Sequence, residues 1–142
     1  MNGLVQLRNA AVGEPVAHGT SRPLTAEVLS AYAQASGDLN PLHLDSDVAR
    51  KSGFDDVIVH GMLSMAQLGT MLADAFGQAR ITQFQARFVA VVPVGSCLHC
   101  VARLGERTTD SAWVMLEAMI ADSDRVVLTG KALIDLRERG GA

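Results

Sequence analysis

The chain has 142 residues, enough for one domain with a sizeable core and little room for two. Apolar residues make up 49% and charged residues 19%, slightly below the usual quarter, which excludes an intrinsically disordered chain. The formal net charge is -3 and no basic cluster occurs beyond "RER" near the end, which argues against a nucleic-acid surface but leaves room for a small anionic ligand.

The opening "MNGLVQLRNAAVGEP" lacks a basic segment followed by an apolar core, so no secretory leader is evident. The longest apolar run, near Met62 to Phe76, is too short to span a bilayer comfortably. A soluble cytoplasmic protein is the expectation. Gly13 to Pro23 reads as a short irregular or extended lead-in. "LTAEVLSAYAQASG" then predicts a helix, with Thr25 as cap, Val28, Leu29, Tyr32 and Ala35 on one face, and Gly37 as the stop. A second short helix is expected from Ser46 to about Lys51, capped by Asp45 or Ser46 and ended by Gly53.

"GMLSMAQLGTMLADAF" is apolar nearly all the way round, with Asp74 as its first charge. Such a helix is expected to be buried on all sides, and Ser64, Ala66 and Gly69 would let neighbouring backbone approach closely. Strands follow. In "ITQFQARFVAVV", Gln83, Gln85 and Arg87 alternate with Phe84, Ala86 and Phe88. "SCLHCVARLGE", "SAWVMLEAMIA" and "RVVLTGKALIDL" are separated by the turn signals "ERTTDS" and "ADSD", a spacing that suits an antiparallel meander. Residues 1–142 therefore read as one α+β domain, a sheet curled round one apolar helix.

Two cysteines, Cys97 and Cys100, are the whole thiol inventory. "CLHC" has no second CxxC to complete a zinc site, and positions three apart in a strand point to opposite faces. They read as two small, half-buried residues.

The candidate chemistry begins at the stop of the first helix, in "SGDLNPLHLD". In a regular helix Asp38 and His43 would lie about 140° apart. Pro41 disfavours a helix and biases Asn40 to extended geometry. A compact turn braced by the Asn40 amide can instead bring Asp38 and His43 to one point, where they could hold a water for general acid–base work. The same residues also fit a helix C-terminus followed by an Asx turn and an exposed histidine. A calcium loop fits poorly, since His43 stands where the sharp-turn glycine belongs and Ala49 where the bidentate glutamate belongs. No metal site is expected.

The second candidate is "VIVHGML". Gly61 opens the apolar helix, and its backbone N–H could donate to an oxygen that gains negative charge. Taken alone, His60 fits a structural hydrogen bond at a strand-to-helix turn. His18 and His99 have no motif around them. Together, an Asp/His water clamp and an N–H donor beside an apolar helix suit reversible hydration of a conjugated thioester. The helix, with Met62, Met65 and Gly69 as candidates, would line the acyl pocket.

"SGDLNPLHLD", "VIVHGML" and "FQARFVAVVPVGSCL" resemble the MaoC-like hydratases of the hot-dog superfamily, roughly from Val12 to Leu136. The resemblance is greatest to short (R)-specific enoyl-CoA hydratases and bacterial 3-hydroxyacyl-thioester dehydratases. It implies a long central helix wrapped by a curved antiparallel sheet, and a homodimer, with a heterodimer as the other form. It also implies Asp38 and His43 as the catalytic pair, the Gly61 amide as oxyanion donor, and Asn40 and His60 in support. Some short members of the family carry a serine at the position of Gly69, so substrate fit at that point departs from the pattern. No cofactor is implied, with CoA as substrate carrier and acyl-carrier protein as the alternative. Rival readings are a hot-dog acyl-CoA thioesterase, in which water attacks the carbonyl, and a non-catalytic subunit that binds acyl thioesters.

Overall fold

A computed structural model describes residues 2–138. Helix α1 (Gly3–Asn9) leads into strand β1 (Pro15–Thr20), and three further helices follow: α2 (Ala26–Ser36), α3 (Ser46–Lys51) and α4 (Gly61–Phe76). Strands β2 (Ile81–Phe88), β3 (Leu98–Arg107), β4 (Ser111–Ile120) and β5 (Arg125–Asp135) complete the described chain.

The local signals behave as their chemistry requires. Thr25 Oγ1 accepts the Val28 N–H at the start of α2, and Gly37 ends it in the left-handed region at φ 80°. Asp45 Oδ1 accepts the N–H groups of Asp47 and Val48, fixing Asp45 as the cap of α3. Within α2 the deeply buried residues are Leu29 and Ala33, whereas Ala35 is exposed.

All strand pairs are antiparallel, and the order across the open sheet is β1-β3-β4-β5-β2. Only β3, β4 and β5 form the expected meander. β2 lies beyond β5, paired Phe84 to Ala132 and Ala86 to Gly130, because the chain crosses from β2 to the far side of the sheet before β3. The lead-in, read as irregular or extended, is extended over Pro15–Thr20 and supplies the opposite edge, β1.

The sheet curls round α4 in the hot-dog arrangement. Its inner face presents Leu98, Cys100, Ala102 and Leu104 from β3, Ala112, Val114, Leu116 and Ala118 from β4, and Leu128, Ala132 and Ile134 from β5. These meet Leu68, Met71, Leu72 and Phe76 of α4. Full burial of one such leucine stabilises the fold by about 1.5–3 kcal/mol. The helix is not buried on all sides: Met62, Ala66 and Thr70 are exposed, because helices and sheet cover only part of its circumference in a single chain.

Neither cysteine is bonded, and burial pushes the Cys100 thiol up to about 11, so it stays protonated at neutral pH. Among the described residues no helix is long and apolar enough to cross a membrane.

Candidate active site

The segment leaving α2 is folded by its own side chains. Ser36 Oγ accepts the Asp38 N–H at 3.2 Å, Asp38 Oδ1 accepts the Asn40 N–H at 3.3 Å, and Asn40 Oδ1 accepts the Leu42 N–H at 3.0 Å. Asn40 thereby caps a single 3₁₀ turn, Pro41–His43, whose first residue is the proline. The turn brings His43 Nε2 to 3.9 Å from Asp38 Oδ2. His43 is mostly buried, at 12% side-chain exposure, and Asp38 is on the solvent side at 51%.

His43 Nδ1 lies 2.8 Å from the Ile58 carbonyl oxygen. A carbonyl only accepts, so Nδ1 carries a proton, and in the neutral form of the ring Nε2 would turn its lone pair toward Asp38. The residues just before α4 therefore set the tautomer of a side chain fifteen positions earlier.

His60, the N-terminal flank of α4, is 1% exposed. Its Nε2–H donates to the Asp38 carbonyl at 3.2 Å. Its ring stacks on His43 with centroids 3.9 Å apart and planes 25° apart, and Tyr32 meets it edge-on at 4.8 Å. Burial pushes the His60 pKa below its ordinary value of 6.5, against the pull of its hydrogen bond to the Asp38 carbonyl. The neighbouring His43 lowers it further. At neutral pH His60 is thus an uncharged plate behind His43.

Gly61 is the first residue of α4, where an amide has no partner within the helix. A Cβ at this position would lie 3.2 Å from Phe88 Cε1, tighter than ordinary contact, so glycine admits the ring of Phe88. His43, Gly61 and Ser64 share one cleft of about 340 Å³ with Val59, Leu128 and the segment from Phe88 to Val92. A larger groove of about 760 Å³ runs between α1, β1 and α4, lined by residues such as Gly3, His18 and Asp74. It does not hold His43, which lines the smaller cleft, so we assign the chemistry to the smaller cleft.

Residues 8–118 match the family model described as MaoC like domain. The chain belongs to the MaoC-like family of hydratases and dehydratases. It is 30% identical over 116 residues to a mitochondrial 3-hydroxyacyl-[acyl-carrier-protein] dehydratase of Arabidopsis thaliana, covering 79% of this chain and 70% of that one. It is 30% identical over 112 residues to a 3-hydroxybutyryl-CoA dehydratase of Methylorubrum extorquens, covering 76% and 70%. Among solved structures, an R-hydratase of Pseudomonas aeruginosa in its unliganded form superposes with a TM-score of 0.82 at 26% identity, covering 95% of this chain and 87% of that one.

In this MaoC-like chain the three acyl-pocket candidates do not line the cleft. From Gly61, Ser64 lies about 60° one way round the helix, whereas Met62 and Gly69 lie about 80–100° the other way. Met62 is exposed and Met65 packs partly buried against the core. A Cβ on Gly69 would meet Phe84 Cε2 at 3.4 Å, an ordinary contact on the β2 side of the helix. Ser64, the Ile58 carbonyl and Phe88 were not singled out as site groups from the sequence. The available signal for Ser64 was its three-residue spacing from Gly61, which puts both on one helix face.

Asp38, His43 and His60 offer potential metal-ligand atoms within 4.8 Å of one another. Their hydrogen bonding fits a chelate poorly. His60 Nε2 is engaged by the Asp38 carbonyl and His43 Nδ1 by the Ile58 carbonyl, which leaves each ring one nitrogen at most for a metal.

Proposed function

We propose that this chain catalyses the reversible hydration of trans-2-enoyl thioesters to (R)-3-hydroxyacyl thioesters, with CoA as carrier and acyl-carrier protein as the alternative. The observation that carries this reading is that His43, paired with Asp38 at 3.9 Å, lines one mostly apolar cleft together with Gly61 at the N-terminus of α4. The names of the relatives, dehydratases of 3-hydroxyacyl and 3-hydroxybutyryl thioesters and an R-hydratase, support the same chemistry.

The 3.9 Å gap between His43 Nε2 and Asp38 Oδ2 lets one water oxygen sit about 2.8 Å from each. Both atoms are acceptors, so such a water donates one hydrogen to each and turns a lone pair toward the substrate. One of the pair takes the proton as the oxygen bonds to the β-carbon. The alkene electron pair shifts into the thioester, whose oxygen becomes enolate-like and accepts the Gly61 N–H. The pair then returns a proton to the α-carbon. Every step uses acid–base and hydrogen-bonding groups, so the proposed reaction calls for no cofactor. Asn40 shapes the turn and His60 backs the His43 ring.

A panel of enoyl-CoAs followed by loss of the enoyl absorbance, with chiral analysis of the product, tests the reading. The expected product is the (R)-3-hydroxyacyl-CoA. Asp38→Ala and His43→Ala are each expected to lower kcat by about 10²–10⁴-fold with the fold intact. Near-normal hydration by either variant refutes the assignment. Release of free thiol without loss of enoyl absorbance would mark a thioesterase, and binding without turnover a non-catalytic subunit.

A further inference from the structure

α4 carries one hydroxyl that the packing leaves without a partner. Ser64 is 1% exposed, and its Oγ has no hydrogen-bond partner among the described residues. A serine or threonine inside a helix commonly returns its proton to the carbonyl four residues back. Thr70 of the same helix does so, donating to the Ala66 carbonyl at 3.0 Å. Ser64 does not, although the His60 carbonyl is available in the preceding turn and already accepts the Ser64 N–H at 3.1 Å. Burying a hydroxyl without a partner is unfavourable, so its presence calls for a reason.

Its position supplies one. Ser64 lines the cleft that also holds His43 and Gly61. It stands three residues after Gly61, about 4.5 Å further along the helix axis and on the same face. The rest of that cleft is mostly apolar, with Val59, Phe88, Val89 and Val92 among its walls. No group lining that cleft takes the Ser64 proton in this structure, and a bound ligand could.

We propose that the Ser64 hydroxyl donates a hydrogen bond to the thioester carbonyl oxygen of the bound substrate, as a second donor beside the Gly61 N–H. This rests on the hydratase reading above. The attacking water is matched by Asp38 and His43, which both accept, and a simple acyl chain has no acceptor. The carbonyl oxygen is the strong acceptor that remains, and it gains charge as the reaction proceeds. Two converging donors stabilise that charge more than one, and exclusion of water strengthens both bonds.

Ser64→Ala tests this with three readings on the full-length chain: kcat and KM for crotonyl-CoA, the Kd of the unreactive saturated thioesters butyryl-CoA and octanoyl-CoA, and the melting temperature. The expected result is a fall in kcat/KM of about 10–10²-fold, greater in kcat than in KM. Saturated acyl-CoAs should bind several-fold more weakly, while the melting temperature stays level or rises because a partnerless buried hydroxyl has gone. Ser64→Cys, close in size with a weaker donor, should fall between wild type and alanine.

Wild-type turnover and unchanged acyl-CoA affinity in Ser64→Ala overturn the proposal. So does a lower melting temperature with unchanged affinity, which would make the hydroxyl a structural partner of the buried His60 Nδ1. If the wild type binds saturated acyl-CoAs but hydrates no enoyl-CoA, the hydratase reading falls, and the affinity comparison alone decides the Ser64 contact. Failure of the wild type to bind any acyl-CoA overturns both.

Discussion

His43 has a neighbouring group on three sides. The Ile58 carbonyl fixes its tautomer, the Asp38 carboxylate faces its free nitrogen, and the His60 ring lies flat behind it. The last contact suits the proposed reaction only while His60 is neutral, since a second positive ring 3.9 Å away would oppose the protonation of His43 that this reaction uses. Burial is the main cause that keeps His60 neutral, by lowering its pKa. The consequence for stability has a definite sign. Below the ordinary value of 6.5 the unfolded chain takes up a proton that the folded chain resists, so the contribution is complete above that pH and declines as pH falls below it. The melting temperature should therefore drop between about pH 7.5 and about pH 5.5, and His60→Gln should drop less over the same interval. Equal drops in the two proteins would show that His60 is not the group responsible.

The elements differ in how far their sequence reveals them. The turn between α2 and α3 was legible because its logic is local: Gly37, Asp38, Asn40 and Pro41 constrain neighbours within a few residues. α1 was not. Of its seven residues only Leu7 is buried, and the helix is supported by tertiary contact, with Gly3 lying directly against the Ala75 backbone of α4. Alternation in β2 revealed which side chains face inward but not which strand would lie beside it, so the pairing with β5 could not be read. The free state of the Ser64 hydroxyl was equally hidden, because the same residue type serves whether or not it bonds the preceding turn.

The start of α4 offers a test of its own. His60 is extended, at φ -56° and ψ 132°, a geometry that tolerates a following proline, and the first helical position needs no N–H. Gly61→Pro should thus keep the helix while deleting the proposed oxyanion donor. Gly61→Ala is its control, since either residue brings a Cβ against Phe88 but alanine keeps the amide. Proline should reduce kcat by about 10²–10³-fold relative to alanine, with similar melting temperatures. Equal rates for the two would remove the Gly61 amide from the mechanism.

At the scale of the whole molecule, the cleft opens on a surface that a lone chain leaves apolar. β2 is an outer strand of the open sheet, with Arg87 its only charged residue, and among the described residues no strand lies on its outward side. Where it ends, Phe88 (52% exposed), Val89 (53%) and Val91 (46%) gather beside the start of α4, and Met62 (58%) is exposed on that first turn. Phe88, Val89 and Val91 also wall the cleft, so whatever covers them shields the reacting atoms from bulk water. A second copy presenting its own β2 edge satisfies both the strand and the patch, which is why we propose a homodimer as the working form. Light scattering of the purified chain should give twice the monomer mass. Val91→Glu, which places a charge in the patch, should shift the protein toward monomer and lower activity more on dilution than at high concentration. A wild-type monomer with full turnover would refute the proposal. A monomer that gains activity only when a different chain is added would instead assign the patch to a heterodimer.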